Sequence, residues 1–165
     1  MKILIIGIVA SGKTTLAKRL SKELNYNYYE IDSIVHDDIN KRKRTPKEQE
    51  KILNKIYKNK NWIIEGTLRT NLYNILNKSD QIIYLDIPLK IRKKRILIRY
   101  IKQKLKIEKC NYKPSIKLLK MMYKWTATFE QEKENFEKLI NNCDKPVTIL
   151  KNIEEVNSFK INPNI

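Results

Sequence analysis

The segment from Gly7 to Thr14 carries the residue types and spacing best suited to chemistry in this sequence. It reads Gly-Ile-Val-Ala-Ser-Gly-Lys-Thr, the Walker A pattern of a phosphate-binding loop, or P-loop. In such a loop backbone N–H groups surround the phosphates, Lys13 neutralises the β and γ phosphates, and the Thr14 hydroxyl ligates Mg²⁺. The pattern predicts binding of a nucleoside triphosphate with Mg²⁺; ATP is expected, and GTP is left open. The predicted nucleotide-binding residues are Gly7, Ala10, Ser11, Gly12, Lys13, Thr14 and Thr15.

The use of glycine supports this prediction. The chain contains three glycines, and two of them, Gly7 and Gly12, occupy the two positions that the pattern requires. An ordinary turn is the alternative interpretation of the segment. A chance match to the pattern is rare in a chain with so little glycine.

Three of the predicted strands end at a carboxylate residue: Asp32, Glu65 and Asp86. In open parallel sheets ligands bind beyond the carboxyl ends of the strands, so these side chains are expected to converge on the edge that carries the P-loop. Glu65 is predicted to hold Mg²⁺ together with Thr14, and Asp86 is the alternative. Capping of the following helix is the structural alternative for both Glu65 and Asp86.

These residues must be positioned by strands and helices that alternate along the chain. Short apolar or aromatic runs predict strands at residues 2–6, 26–31, 62–64, 81–85 and 147–150. Helical spacing predicts helices at 14–24, 45–58, 115–125, 128–141 and 153–159, and a long basic helix from Leu89. Strands separated by helices predict a three-layer α/β/α sandwich with a parallel sheet of about five strands. A single domain is expected to span residues 1–165.

Three segments together resemble a known class of P-loop protein: the P-loop itself, Glu65-Gly66-Thr67-Leu68-Arg69, and Leu85-Asp86-Ile87-Pro88. They resemble the adenylate-kinase-like, or nucleoside-monophosphate-kinase-like, P-loop proteins. The sequence is most similar to the adenylate-kinase-related proteins of the DNA topology modulation or FlaR type, which also have a segment like Trp62 to Gly66. The resemblance implies strand order 2-3-1-4-5, an acceptor-binding region at about 32–60 and a basic lid at about 89–125. Thr67-Leu68 replaces the Phe-Pro of adenylate kinases, so AMP is not singled out as the acceptor.

The resemblance also implies roles for two residues outside the P-loop. Glu30 and Asp32 are similar to the Asp-x-Asp of shikimate-kinase-like enzymes, in which the second carboxylate contacts the acceptor hydroxyl. Asp32 would then orient or deprotonate that hydroxyl, and Arg69 would bind a phosphate or carboxylate of the acceptor. The structural alternatives are a buried helix cap for Asp32 and a solvated surface position for Arg69. The implied activity is transfer of the γ-phosphoryl group of ATP to a nucleotide or small-molecule acceptor, with plain ATP hydrolysis as an alternative.

One region carries most of the positive charge. Residues 90–124 hold 14 lysines and arginines against one acid, and so account for +13 of the formal net charge of +17. On a helix that begins near Leu89 five basic residues share one stripe, and five apolar residues form the face predicted to dock the helix. The stripe is Arg92, Arg95, Arg99, Lys102 and Lys106; the apolar face is Ile91, Leu97, Ile98, Ile101 and Leu105.

Three interpretations of this region remain open. In the first, Arg92, Arg95 and Arg99 are catalytic lid residues that close over the triphosphate and stabilise charge during phosphoryl transfer. In the second, the lysines bind nucleic acid and the chain is a nucleotide-dependent, nucleic-acid-associated regulator. The aromatic residues that would stack on bases are then Tyr100, Tyr112, Tyr123 and Trp125. In the third, the region is a solvated lysine-rich face.

Composition excludes several other classes of protein. The two cysteines, Cys110 and Cys143, lack the spacing of a zinc site, and His36 is the only histidine, so neither a disulfide framework nor a zinc centre is expected. No stretch approaches the roughly 18 apolar residues of a membrane helix. A cytoplasmic protein is therefore expected, and the sequence makes no prediction of its oligomeric state.

Overall fold

A parallel sheet forms the centre of the molecule. The computed structural model describes residues 1–108, 110 and 114–161. The sheet has five strands in the order β2-β5-β1-β6-β7, and β3 and β4 form a separate antiparallel hairpin. Counting only the strands of the large sheet, the order is 2-3-1-4-5, as predicted. The strands are β1 (Lys2–Gly7), β2 (Tyr28–Glu30), β3 (His36–Asp37), β4 (Arg42–Lys43), β5 (Trp62–Gly66), β6 (Gln81–Leu85) and β7 (Val147–Leu150).

Helices cover both faces of the sheet. They are α1 (Lys13–Leu24), α2 (Ile31–Val35), α3 (Pro46–Tyr57), α4 (Asn74–Lys78), α5 (Leu89–Lys104), α6 (Ile116–Asn141) and α7 (Ile153–Ser158), with a 3₁₀ turn at Thr70–Leu72. One apolar core packs α3, α4 and the C-terminal half of α6 against the sheet. A second core, on the opposite face, packs α1, α7 and the start of α5. The three-layer α/β/α class is therefore confirmed. Within the described residues no helix is both long and apolar enough to cross a membrane.

The central strands explain why the sheet is parallel and enclosed. In β1, Ile3 to Ile6 are completely buried, and in β5 and β6 nearly every residue is buried. A strand covered on both faces needs a continuous apolar run instead of alternating apolar and polar residues. All four strand pairs of the sheet are parallel, so the carboxyl ends of β1, β2 and β5 meet at one edge.

Two predicted boundaries are wrong. The strand predicted at 26–31 is limited to Tyr28–Glu30, because Ile31 already begins α2 and turns its side chain into the core. The helices predicted at 115–125 and 128–141 are one continuous helix, Ile116–Asn141. Neither glycine nor proline interrupts this helix. Thr126 is completely buried within it, and a β-branched residue lowers helix propensity without breaking the helix.

The predicted docking face of α5 is also wrong except at Ile91, which packs against the second core. Leu97, Ile98 and Ile101 are exposed, and Leu105, just beyond the helix, is 64% exposed. The buried residues of α5 are instead Arg92, Ile96 and Gln103. The helix can bury an arginine because Nε and Nη2 of Arg92 donate hydrogen bonds to the carbonyl oxygen of Ile87 and to Glu130. Polar groups with partners of this kind are tolerated in a protein interior.

Candidate active site

The P-loop lies at the carboxyl edge of β1 and leads directly into α1. A Cβ atom at Gly7 would lie 2.9 Å from both the carbonyl oxygen of Leu85 and Oγ of Ser11, so only glycine fits there. Lys13 is buried, and its Nζ donates a hydrogen bond to the carbonyl oxygen of Ile8 at 3.0 Å. Burial lowers the pKa of Lys13, and the carboxylates of Glu65 and Asp32 oppose that shift. The loop therefore holds a buried lysine, and a bound anion would stabilise the charged form of that lysine.

Glu65 lies beside the P-loop threonine. β5 pairs with β1 so that Glu65 is opposite Ile5, and the Thr14 hydroxyl donates a 2.6 Å hydrogen bond to Oε1 of Glu65. Burial raises the pKa of Glu65, and the nearby carboxylates of Glu30 and Asp32 raise it further, whereas the Thr14 hydrogen bond and Lys13 lower it. A hydroxyl and a carboxylate in contact are hard oxygen ligands of the kind that Mg²⁺ prefers.

Asp86, the alternative carboxylate, has a different partner. It follows β6 and forms an ion pair with Lys133 of α6, at 2.6 Å between Oδ1 and Nζ. It does not line the cleft that contains the P-loop, whereas Glu65 does. The geometry therefore favours Glu65 over Asp86 as the carboxylate beside the loop.

Asp32 and Arg69 form an ion pair at the mouth of the cleft. Nη2 of Arg69 donates to Oδ1 of Asp32 at 2.8 Å, and the Asp32 side chain is 72% exposed. Asp32 is therefore not a buried helix cap. No sequence pattern singled out Thr67, whose hydroxyl donates to the carbonyl oxygen of Gly7 at 3.1 Å and so joins the end of β5 to the P-loop.

Two of the three arginines predicted for the lid line the cleft. Nη1 of Arg95 donates to the carbonyl oxygens of Ala10 and Ser11, at 3.1 and 2.9 Å, and so contacts the P-loop directly. Nε of Arg99 lies 3.3 Å from Oε1 of Glu108, and both residues line the cleft. These guanidinium groups are positioned to approach a ligand held by the loop.

Arg92 is a correction to the predicted set. It is only 2% exposed, its Nε donates to the carbonyl oxygen of Ile87 at 2.8 Å, and its Nη2 donates to Glu130 of α6. It does not line the cleft. Its role in this structure is to join α5 to α6, because a buried cation needs a fixed partner.

The cleft has a volume of about 1980 Å³, and α6 forms much of one wall. Sequence reasoning missed this wall. Its residues recur at intervals of three and four, which places them on one face of the helix: Met121, Trp125, Thr128, Glu132, Asn135 and Leu139, with Phe129 and Phe136 beside them. That spacing was the signal available in the sequence, and the predicted break after Trp125 concealed it. Tyr73 and His36 also line the cleft.

Two of the aromatic residues proposed to stack on nucleic-acid bases, Tyr100 and Tyr123, are half-buried. Tyr123 is half-buried and its hydroxyl donates to the carbonyl oxygen of Lys93 at 3.1 Å. Tyr100 is half-buried, and Trp125 lines the cleft. Tyr112 lies outside the described residues. No contact in the described structure favours nucleic acid as a partner.

A family model described as an AAA domain matches residues 3–114. The chain belongs to this AAA domain family. No curated protein sequence matches it. The closer resemblance to FlaR-type proteins remains a prediction.

Several solved kinase structures are similar to this AAA domain protein in fold. Shikimate kinase from Bacteroides thetaiotaomicron is 15% identical, with a TM-score of 0.59 over 96% of this chain and 93% of that one. A sugar kinase from Janibacter sp. HTCC2649 is 16% identical, with a TM-score of 0.54 over 94% and 88%. Deoxyadenosine kinase from M. mycoides with bound dATP is 18% identical, with a TM-score of 0.50 over 92% and 91%. At these identities the similarity establishes a kinase-like P-loop fold.

Proposed function

We propose that the chain is a Mg²⁺-dependent phosphotransferase that moves the γ-phosphoryl group of ATP to a hydroxyl group of an acceptor bound in the cleft. The observation that carries the proposal is the 2.6 Å contact between Thr14 and Glu65, which joins the P-loop to the strand carboxylate. Membership of the AAA domain family supports nucleotide binding. The fold shared with a shikimate kinase and a deoxyadenosine kinase supports transfer to an acceptor.

The residues of the loop fit a triphosphate with Mg²⁺. Besides the buried Lys13, the Ser11 hydroxyl is buried and has no hydrogen-bond partner among the described residues, so each can bind a phosphate oxygen. Thr14 and Glu65 would hold Mg²⁺, which when bound neutralises phosphate charge and aligns the phosphate oxygens. The beginning of α1 adds the positive end of its dipole to the same place.

The acceptor would lie on the Asp32 side of the loop. The Asp32 carboxylate is exposed to the cleft and can take the proton of an attacking hydroxyl, while its ion pair with Arg69 fixes its position. Arg95 and Arg99 lie on the other side of the loop, where they can stabilise charge on the phosphates during transfer. Most of the rate enhancement would come from positioning and electrostatic stabilisation.

A screen of acceptors tests the proposal. Nucleosides, nucleoside monophosphates, sugars and hydroxy acids are each incubated with ATP and Mg²⁺, and ADP formation is compared with a reaction that lacks acceptor. Lys13→Ala provides the blank, because loss of the P-loop cation removes a phosphate contact. ADP formation that depends on an acceptor and on Lys13 is expected. Hydrolysis at the same rate with and without every acceptor would show an ATPase instead, and tight ATP binding by Lys13→Ala would overturn the site.

A further inference from the structure

The charged residues that line the cleft divide unequally between the segments that carry them. We define the donor half as the cleft-lining residues within 7–18, 95–108, 121–125 and 156–157, and the acceptor half as those within 30–36, 65–73 and 128–139. The donor half has six basic side chains and one acid, a formal charge of +5. Setting aside Glu65, which belongs to the metal position, the acceptor half has three carboxylates and one arginine, a formal charge of −2.

The acceptor half is therefore unsuited to an anion. Its one arginine, Arg69, is already paired with Asp32, and Glu30 and Glu132 add negative charge nearby. A phosphate monoester or a carboxylic acid would be repelled here, because like charges raise the free energy of a bound anion. An uncharged or cationic acceptor is favoured.

The wall of the acceptor half is aromatic. Phe129 and Phe136 of α6 lie with ring centroids 5.5 Å apart, and Phe136 contacts Tyr84 of the sheet at 5.4 Å, so these rings are fixed by the core. Tyr73 lines the cleft beside the same core. Fixed aromatic rings at a cleft wall bind flat rings by stacking, at little cost in side-chain entropy.

Glu132 and Asn135, two polar residues of this wall, are unpaired within the part of the chain that the structure describes. Glu130, Lys133, Glu134, Glu137 and Lys138 all form ion pairs. Glu132 and Asn135, which face the cleft one turn apart, make no hydrogen bond or ion pair with the described part of the chain. A glutamate accepts hydrogen bonds from an amino group, and an asparagine both donates and accepts; these are the pairings that carboxylates and amides make with the edges of cytosine and adenine.

Resting on the proposed function, we propose that the acceptor is a nucleoside whose base carries an exocyclic amino group. The base lies against Phe129 with its edge at Glu132 and Asn135, and a sugar hydroxyl lies at Asp32. The hydroxyl oxygen attacks the γ phosphorus of ATP, the bond from that phosphorus to the β–γ bridging oxygen breaks, and ADP leaves. The hydroxyl proton passes to the carboxylate of Asp32, and the product is a nucleoside monophosphate.

The two tryptophans allow binding to be measured without catalysis. Trp62 is completely buried in the core, whereas Trp125 is 49% exposed on the cleft wall, one turn before Phe129. A fluorescence change on ligand addition that disappears in Trp125→Phe therefore reports the cleft. Saturating ADP with Mg²⁺ fills the donor half, so that added nucleosides and nucleotides report the acceptor half.

Adenosine or cytidine is expected to change the Trp125 signal at a concentration at least about tenfold lower than uridine, AMP, CMP or quinic acid. Glu132→Leu should weaken binding of the amino-bearing nucleoside about tenfold or more, because leucine removes the hydrogen-bond acceptor. Glu134→Leu, at a glutamate of the same helix paired with Lys138, is the matched control and should bind like the parent. Tighter binding of AMP than of adenosine, or equal effects of the two glutamate variants, would overturn the inference.

This assay separates the inference from the proposed function. Nucleoside binding that requires Glu132, without any phosphorylated product in the presence of ATP, would support the acceptor class and contradict the phosphotransferase. Phosphorylation of nucleoside monophosphates or hydroxy acids, with no binding of nucleosides, would support the phosphotransferase and contradict the acceptor class.

Discussion

Arg92 and Arg99 lie seven residues apart on α5 and have opposite surroundings. Arg92 is 2% exposed and connects the carbonyl group of Ile87 to Glu130. The Arg99 side chain is 49% exposed and pairs with Glu108 in the cleft. Removing a buried charged group leaves its partners uncompensated, whereas an exposed ion pair contributes little to stability. One arginine is therefore expected to matter for folding and the other for turnover.

We predict that Arg92→Met lowers the free energy of unfolding by about 2 kcal/mol or more, because Glu130 and the carbonyl group of Ile87 lose their partner. Arg99→Met should change it by no more than about 0.5 kcal/mol and should instead lower the rate of ADP formation by about tenfold or more. Urea unfolding and the acceptor-dependent ADP assay measure the two effects. Equal stability losses in both variants would show that the surroundings of these arginines are not as described.

At the scale of elements, α3 begins with a capping box whose Glu48 also contacts the β3–β4 hairpin. The Thr45 side chain accepts from the backbone N–H of Glu48, and the Glu48 carboxylate accepts from the backbone N–H of Thr45 at 2.8 Å. The same carboxylate accepts two hydrogen bonds from Arg42 of β4, at 2.9 and 2.6 Å. These contacts lower the pKa of Glu48 to about 2, and the hydrogen bonds from Arg42 have the largest effect.

The pKa of Glu48 is lower in the folded chain than its ordinary value of about 4.3. The ionised carboxylate therefore stabilises the fold in full above a pH of about 4.3. The stabilisation is lost as the pH falls towards about 2. We predict that the free energy of unfolding falls less steeply over this range in Glu48→Gln than in the parent. Glu50→Gln, on the same helix and with no hydrogen bond or ion pair among the described residues, should retain the parental slope. Urea unfolding across this pH range measures the slope of the free energy of unfolding against pH. Identical slopes in all three proteins would contradict the capping contacts.

The same elements show what sequence patterns can and cannot predict. The P-loop and the α3 cap were predictable because their interacting residues are within a few positions of one another, and backbone geometry follows from local residue types. The sheet order followed from the resemblance to P-loop proteins. The orientation of α5 was not predictable, because its sequence offers two candidate faces and the buried one contains Arg92. Only the distant Glu130 makes that burial possible.

The candidate active site also has one part that the sequence predicts and one part that it does not. The contact of Thr14 with Glu65 follows from parallel pairing of β1 and β5, so a motif and a strand end were enough to predict it. The wall formed by α6 was missed, because its contribution depends on how a helix about 100 residues or more from the P-loop packs against the cleft. No local pattern encodes that packing.

At the scale of the whole molecule, filling the donor half should stabilise the fold. A ligand at 100 times its Kd that binds only the folded state adds about 2.7 kcal/mol, which corresponds to a rise of about 5–10 °C in Tm for a chain of this length. We expect a rise of this size with ATP and Mg²⁺, and none with Lys13→Ala. Thermal unfolding with and without nucleotide measures it. An equal rise in the variant would place the nucleotide elsewhere.

The two ends of α6 pack against different elements. From Phe129 onwards it packs against the sheet, whereas the segment before Phe129 contacts α5 through Leu118, Leu119 and Met122. The 14 residues from Ile116 to Phe129 span about 20 Å, so a tilt of about 10° at Phe129 would move the beginning of α6 by about 3 Å. That displacement exceeds the diameter of a water molecule. Such a rotation would change the donor half, which Met121 and Trp125 line, while it left Phe129 and the ion pair of Arg92 with Glu130 in place.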